Sequence, residues 1–341
     1  MANRGLTIVC GALAVVGLAW AGKAGSVPPR NRRPYAGIDW KTAVQVKTTS
    51  HAHCSTLEGV KLMTGRGFEF MTLSNYHPSM PHCPLAGLSA GVLEAPNAEH
   101  WGFIDPKSGL AMDDVHMCAP GSSCSSGEKF DLPWNLAIGK LVAGLVFPEG
   151  GGVTINHPRW SHIPYETVNR LLDVDPRVLG IEVYNCSCGN REAWPWSDSW
   201  SEDYWDHALA TGRQCFGFSV PDWDIDRAGV NVLVVPEKTV RACLAAYRRG
   251  DFYCAVLGTV AKFTLIAFDG RTFAAATDVP CAFELVSRKG VVGTATGTSF
   301  SWRLPDRTET EHVFLRLRAR PEANGDELLF TQPQMLTDRE G

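Results

Sequence analysis

The sequence predicts an α/β protein, a distorted β/α barrel followed by a small antiparallel β domain of sandwich type. Three observations lead there. Strand-like and helix-like segments alternate from residue 44 to about residue 250. Histidines or acids sit at or just past the C-terminal ends of several predicted strands, where β/α barrels carry their chemistry: His53, His77, Glu94, His157 and Asp222. Helical spacing stops near residue 262, and short alternating strands separated by turns such as Asp269-Gly270 and Lys289-Gly290 take over.

The chain has 341 residues, enough for one large domain and a small one. An apolar share of 45% can build a substantial core. A net charge of −4 gives no basic face, so a nucleic-acid polymer is not an expected partner. Arg4 precedes an apolar run over residues 6–21 that closes on Ala19-Trp20-Ala21, the pattern of a secretory signal. The run is slightly short of the roughly 20 residues of a membrane span. Lys23, Arg30, Arg32 and Arg33 follow it, a placement disfavoured after an export signal. A cleaved signal over 1–21, giving a secreted or periplasmic protein, is therefore the first expectation. Membrane attachment through an uncleaved N-terminal anchor is the second. Residues 22–34 read as a poorly ordered Pro/Arg-rich linker, 35–259 as the barrel and 260–336 as the β domain.

The first barrel strand, 44–49, alternates apolar and polar residues and leads to His51-Ala52-His53. Histidines at i and i+2 on a strand share a face, and neutral imidazole is the commonest metal ligand. A lone His-x-His is more often structural than ligating, so the later strands decide. Glu58-Gly59 lies five residues on, and strand 68–73 leads to Ser74-Asn75-Tyr76-His77. Strand 88–93 ends at Glu94, with His100 soon after. Residues 105–131 form a long loop, and such loops in compact domains are often functional. A helix over 133–146 precedes strand 153–155, which ends at Asn156-His157-Pro158-Arg159.

A helix over 165–172 and strand 180–183 come next. The aromatic run Trp194, Trp196, Trp200, Tyr204 and Trp205 is either a lip that stacks a sugar or base, or an apolar cover over the barrel. The cover is the simpler reading. Asp203 and Asp206 read as caps of the helix around 204–210. Strand 216–220 leads to Pro221-Asp222-Trp223-Asp224, and a helix from Pro236 to Arg249 stops at Gly250. The strands of the β domain are 263–268, 281–286, 300–304 and 313–319. Setting aside Cys10 in the apolar run, the eleven cysteines leave an even number, compatible with disulfides; Cys118 and Cys124 could pair. Cys215, Cys243 and Cys254 read as buried thiols.

In order and spacing these residues resemble the polymerase-and-histidinol-phosphatase (PHP) superfamily of metallohydrolases over residues 39–258. His51-Ala52-His53 with Glu58-Gly59 matches its opening motif, with Glu in place of the usual Asp. Ser74-Asn75-Tyr76-His77 stands loosely where the family has Thr-Asp-His. Glu94 with His100 matches the bridging Glu and following His, and Asn156-His157-Pro158 matches a later motif. Asp222-Trp223-Asp224 stands for the closing Asp-x-His, with Asp224 replacing the histidine. The C-terminal β domain is also similar to one found in some secreted or membrane-associated members.

The resemblance implies a PHP-type barrel holding two or three divalent ions such as Zn, Mn or Fe. His51, His53, Glu94 and Asp222 would hold the first ion, Glu94 bridging to a second completed by His100 and His157. Glu58, His77 and Asp224 would hold a third, the site where the departures concentrate. The expected activity is hydrolysis of a small-molecule substrate, most simply a phosphoester. Glu94 and Asp222 would be catalytic, Asp222 also accepting a proton. Arg159 and His162 are either phosphate-binding residues or surface residues of a loop. The rival expectations are an amide or carbamate hydrolase on the same metals and a non-catalytic secreted binding protein.

Overall fold

The computed structural model describes residues 31–76, 80, 91–124, 129–189, 197–226, 229–256, 261–306, 308–323 and 327–336. The signal or anchor expected over 1–21 lies outside them, as do His77, Trp194 and Trp196. Among the described residues no helix is long and apolar enough to cross a membrane.

The chain opens with β1 (Val44–Thr49), α1 (Leu57–Gly65), β2 (Phe70–Met71) and β3 (Leu93–Glu94). Next come β4 (Glu99–Ile104), β5 (Ala111–Met112), β6 (Met117–Cys118) and β7 (Lys129–Pro133), then α2 (Trp134–Ala143), β8 (Val153–Ile155) and α3 (Tyr165–Leu172). After them follow β9 (Val178–Asn185), α4 (Glu202–Ala210), β10 (Phe216–Val220), β11 (Gly229–Val235), α5 (Val240–Arg249) and β12 (Phe252–Val256). The helix ends follow local chemistry. The Thr56 and Thr239 hydroxyls accept the backbone N–H groups of Gly59 and Ala242 and start α1 and α5. Gly250 ends α5 in the left-handed region at φ 73°, where a Cβ would strike the Phe216 ring.

The result is a mixed, strand-rich α/β fold, but in place of the expected distorted β/α barrel there are two open sheets. One runs β3-β2-β1-β11-β12 and continues into the C-terminal strands; the other runs β5-β4-β6-β8-β9-β10. β1, β2 and β3 are parallel to one another, as are β8, β9 and β10, whereas β1 to β11 and β4 to β6 are antiparallel. Single hydrogen bonds tie the sheets together at one level. Asp222 N–H donates to His51 O and His53 N–H to Asp222 O at 3.2 and 3.0 Å. Glu99 N–H donates to Ser74 O at 2.7 Å, and on the first sheet's own side Ser74 N–H donates to Ala52 O at 2.9 Å. Each of these bonds involves a residue of the His51–His53 and Asp222 turns or the start of β4.

The C-terminal strands are β13 (Phe263–Phe268), β14 (Thr272–Ser287), β15 (Gly290–Arg303), β16 (Phe314–Pro321), β17 (Leu328–Thr331) and β18 (Gln334–Met335). All pair antiparallel, and β17 pairs with β12, so they extend the first sheet. The last residues of the expected linker are tied in: Met335 N–H donates to Arg32 O, and the Gln334 amide to Pro34 O. Cys118 and Cys124 are thiols and do not pair. Trp200 and Trp205 are in the core, the apolar-cover alternative. Asp203 and Asp206 do not cap α4; its N-cap is Ser201, and Asp206 pairs with Arg316.

Arg316 is the hinge of the contact between β16 and α4. It is 1% exposed and reaches Glu202 at 2.7 Å and Asp206 at 2.8 Å, with its guanidinium over the Trp205 ring. Removing one partner of such a pair strands the other in low dielectric. Arg316→Ala is expected to cost about 3 kcal/mol or more in denaturant unfolding. Arg316→Met with Glu202→Gln, which removes the arginine and its buried partner and leaves only the part-exposed Asp206 charged, is expected to recover at least half of that loss.

Candidate metal centre

The turn after β1 carries His51 and His53 into the interior, both almost wholly buried. Their Nε2 atoms face each other at 3.1 Å. Glu99 Oε2 lies 3.3 Å from His51 Nε2 and 3.0 Å from His53 Nε2. Asp222 Oδ1 lies 3.2 and 3.3 Å from the same two atoms. A four-coordinate ion with bonds near 2.1 Å sets its donors about 3.4 Å apart. Each of these five separations is close to that spacing. Asp222 Oδ1 is buried and makes no hydrogen bond among the described residues, although it points at two imidazoles. His51, His53 and Asp222 form one metal-competent group, and His51, Glu99 and His157 a second.

Glu99 belongs to both sides. Its Oε2 faces His51 and His53, while its Oε1 accepts from His116 Nδ1 at 2.9 Å and Asn156 Nδ2 at 3.0 Å and lies 3.4 Å from His157 Nε2. A carboxylate so placed can bridge two ions. Behind it stands Glu182, 1% exposed. Its Oε1 accepts His51 Nδ1–H at 2.7 Å, which turns His51 Nε2 toward the cluster. Its Oε2 accepts the His157 backbone N–H and the Asn185 amide, and the same amide reaches Asp222 Oδ2 at 3.0 Å.

The backbone is strained where it delivers these groups. Asp222 at φ 56° and His157 at φ 27° lie in the left-handed region that favours glycine. Both residues follow strand ends, β10 and β8. Outliers of this kind cost of order 1–3 kcal/mol each and gather at functional sites.

Burial alone would depress the His51 imidazolium. The carboxylates of Asp222, Glu99 and Glu182 outweigh burial and hold it well above its ordinary 6.5. Burial opposes ionisation of Glu99, but His51 and the hydrogen bonds from His116 and His157 win and keep it well below 4.5. Glu182 is lowered in the same way. Burial, together with Glu99, raises the Tyr76 phenol, which hydrogen-bonds that carboxylate. Without metal, a protonated His51 thus supplies the positive charge among three carboxylates.

Of the residues expected from sequence, His51, His53, His157 and Asp222 converge. Glu94 does not; it is exposed on β3. The carboxylate in the bridging place is Glu99, five residues later. His100 is buried, but it follows Glu99 on the same strand and so faces the other way, its ring 5.1 Å from Phe130. Glu58 is exposed in the first turn of α1, and Asp224 is half-buried; neither joins a metal-competent group among the described residues. His77 lies outside the described residues. Arg159 turns to Asp203 and to Trp200 O, and His162 is exposed.

Glu99, His116 and Glu182 were missed. Glu182 had a legible signal, a lone acid between Ile181 and Val183 in an apolar strand. His116 lies in the loop singled out by its length. Glu99 was hidden because it begins a strand rather than ending one.

No family model matches the chain, and no curated protein matches it. One solved structure is similar, a two-domain protein of Bacteroides vulgatus containing a predicted PHP-like metal-dependent phosphoesterase. It shares 13% identity at a TM-score of 0.44, covering 90% of this chain and 98% of that one. At that level the likeness carries no argument, and function has to be read from the site itself.

Two outcomes are expected. The raised His51 favours folding fully below 6.5 and is lost as pH climbs through its elevated value. The lowered Glu99 and Glu182 favour folding above 4.5 and are lost as pH falls. Chelator-treated protein should therefore be most stable between those values in denaturation against pH, and metal should extend stability upward. Glu182→Gln should weaken metal binding about 10- to 100-fold by calorimetric titration.

Proposed function

We propose that the chain is a metal-dependent hydrolase acting on a phosphoester. The observation that supports this reading best is the two-sided placement of Glu99. On this reading His51, His53, Asp222 and Glu99 would hold one divalent ion, and Glu99 with His157 would hold another. Divalent ions bound there would acidify a water and balance the charge of an attacked phosphoester. Glu182 keeps the His51 ring oriented, Asn156 and His116 keep Glu99 in place, and Asn185 spans Glu182 and Asp222. Asp222, whose Oδ1 would ligate the ion, also stands close enough to the reacting centre to accept a proton.

The third ion receives less support, because Glu58 is exposed and Asp224 stands apart. The phosphate contact expected of Arg159 also loses support, since its guanidinium is held by Asp203.

The test is chelator-sensitive turnover of p-nitrophenyl phosphate and bis(p-nitrophenyl) phosphate, read beside metal content. Glu99→Ala should lose bound metal and reduce turnover by more than about a hundredfold, beyond the usual effect of outer residues. Glu94→Ala should stay within about twofold of the parent in both. Turnover that survives both chelator and Glu99→Ala would overturn the reading.

A further inference from the structure

Two tryptophans stand in solvent beside the cluster. Trp223 is 50% exposed and Trp160 46% exposed, unlike the buried Trp200 and Trp205. Trp223 lies flat on His53, ring centroids 4.0 Å apart and planes 14° apart. The Tyr76 ring also stacks against His53. One indole face is therefore committed to a site histidine, while half of the residue remains in water. Trp160 stands edge-on to His157 at 4.9 Å. The two indoles thus sit beside the histidines at either end of the series His53, His51, His157.

An exposed indole is costly to keep in water and stacks well on flat rings. Clamping His53 explains one face of Trp223; it does not explain the half left in water. Arg159, next to Trp160 in sequence, is engaged by Asp203 and Trp200 O rather than stacked on either indole.

We propose that the substrate carries a flat aromatic ring, an aryl group or a nucleobase, which stacks on Trp223 with Trp160 as the opposite wall. This inference rests on the phosphoesterase reading and adds a specificity determinant to it.

The test uses two phosphonate monoanions that differ only in the ring, phenyl methylphosphonate and methyl methylphosphonate. Their binding to metal-loaded protein is measured by calorimetry in the parent, Trp223→Ala, Trp223→Phe and Trp160→Ala, with metal content checked in each. The phenyl compound should bind the parent at least about fivefold tighter, the scale of one ring stacked on an aromatic side chain. That preference should vanish in Trp223→Ala and persist in Trp223→Phe, at unchanged metal content. Trp160→Ala should narrow it. A purely clamping Trp223 would weaken both compounds alike. Equal binding of both by the parent, or a preference that survives Trp223→Ala, would overturn the inference and leave the phosphoesterase reading intact. Binding of neither compound by metal-loaded protein would overturn both.

Discussion

Three carboxylates, Glu99, Glu182 and Asp222, are buried within reach of one imidazole, His51. Such a concentration of negative charge in a low-dielectric interior is unfavourable unless a cation balances it. The chain offers one balance of its own, a proton on His51, which the carboxylates hold against the effect of burial. A divalent ion would supply the larger balance in the same place.

The arrangement dictates much of the surrounding fold. The donor groups come from segments far apart in sequence, the turn after β1, the start of β4, and the ends of β8 and β10. Two open sheets bring them together, joined by the hydrogen bonds of His51 and His53 with Asp222 and of Ser74 with Glu99. His157 and Asp222 take left-handed backbone conformations to reach it. The C-terminal strands hold this frame from outside, through the β12 to β17 pairing and the Arg316 contact with α4.

Much of this was legible in the sequence, and the failures have physical causes. Strands 44–49, 153–155 and 216–220 and the helix 165–172 coincide with the observed elements because period and punctuation agree there. His51, His53, His157 and Asp222 were legible because each directly follows such a strand. Glu94 is the sequence's candidate because residues 88–93 read as a strand running into it. Glu99 instead heads a strand whose sequence, Glu-His-Trp-Gly-Phe-Ile, lacks clean alternation. Adjacent residues on a strand face opposite sides, so placing the acid wrongly also misplaced His100. β11 and β12, fully buried, escaped notice because unbroken apolar runs carry no period. The distorted barrel is expected from alternation, from the groups at strand ends and from the family resemblance, none of which fixes whether a sheet closes.

If a cation belongs between His51, His53, Glu99 and Asp222, anomalous diffraction from a crystal grown with manganese will locate it. The expected result is a peak bounded by those four side chains and a second on the His157 side of the Glu99 carboxylate, with none at Glu94. Metal-replete crystals with no anomalous peak in the cluster, and His51 still bound to Glu182, would contradict it.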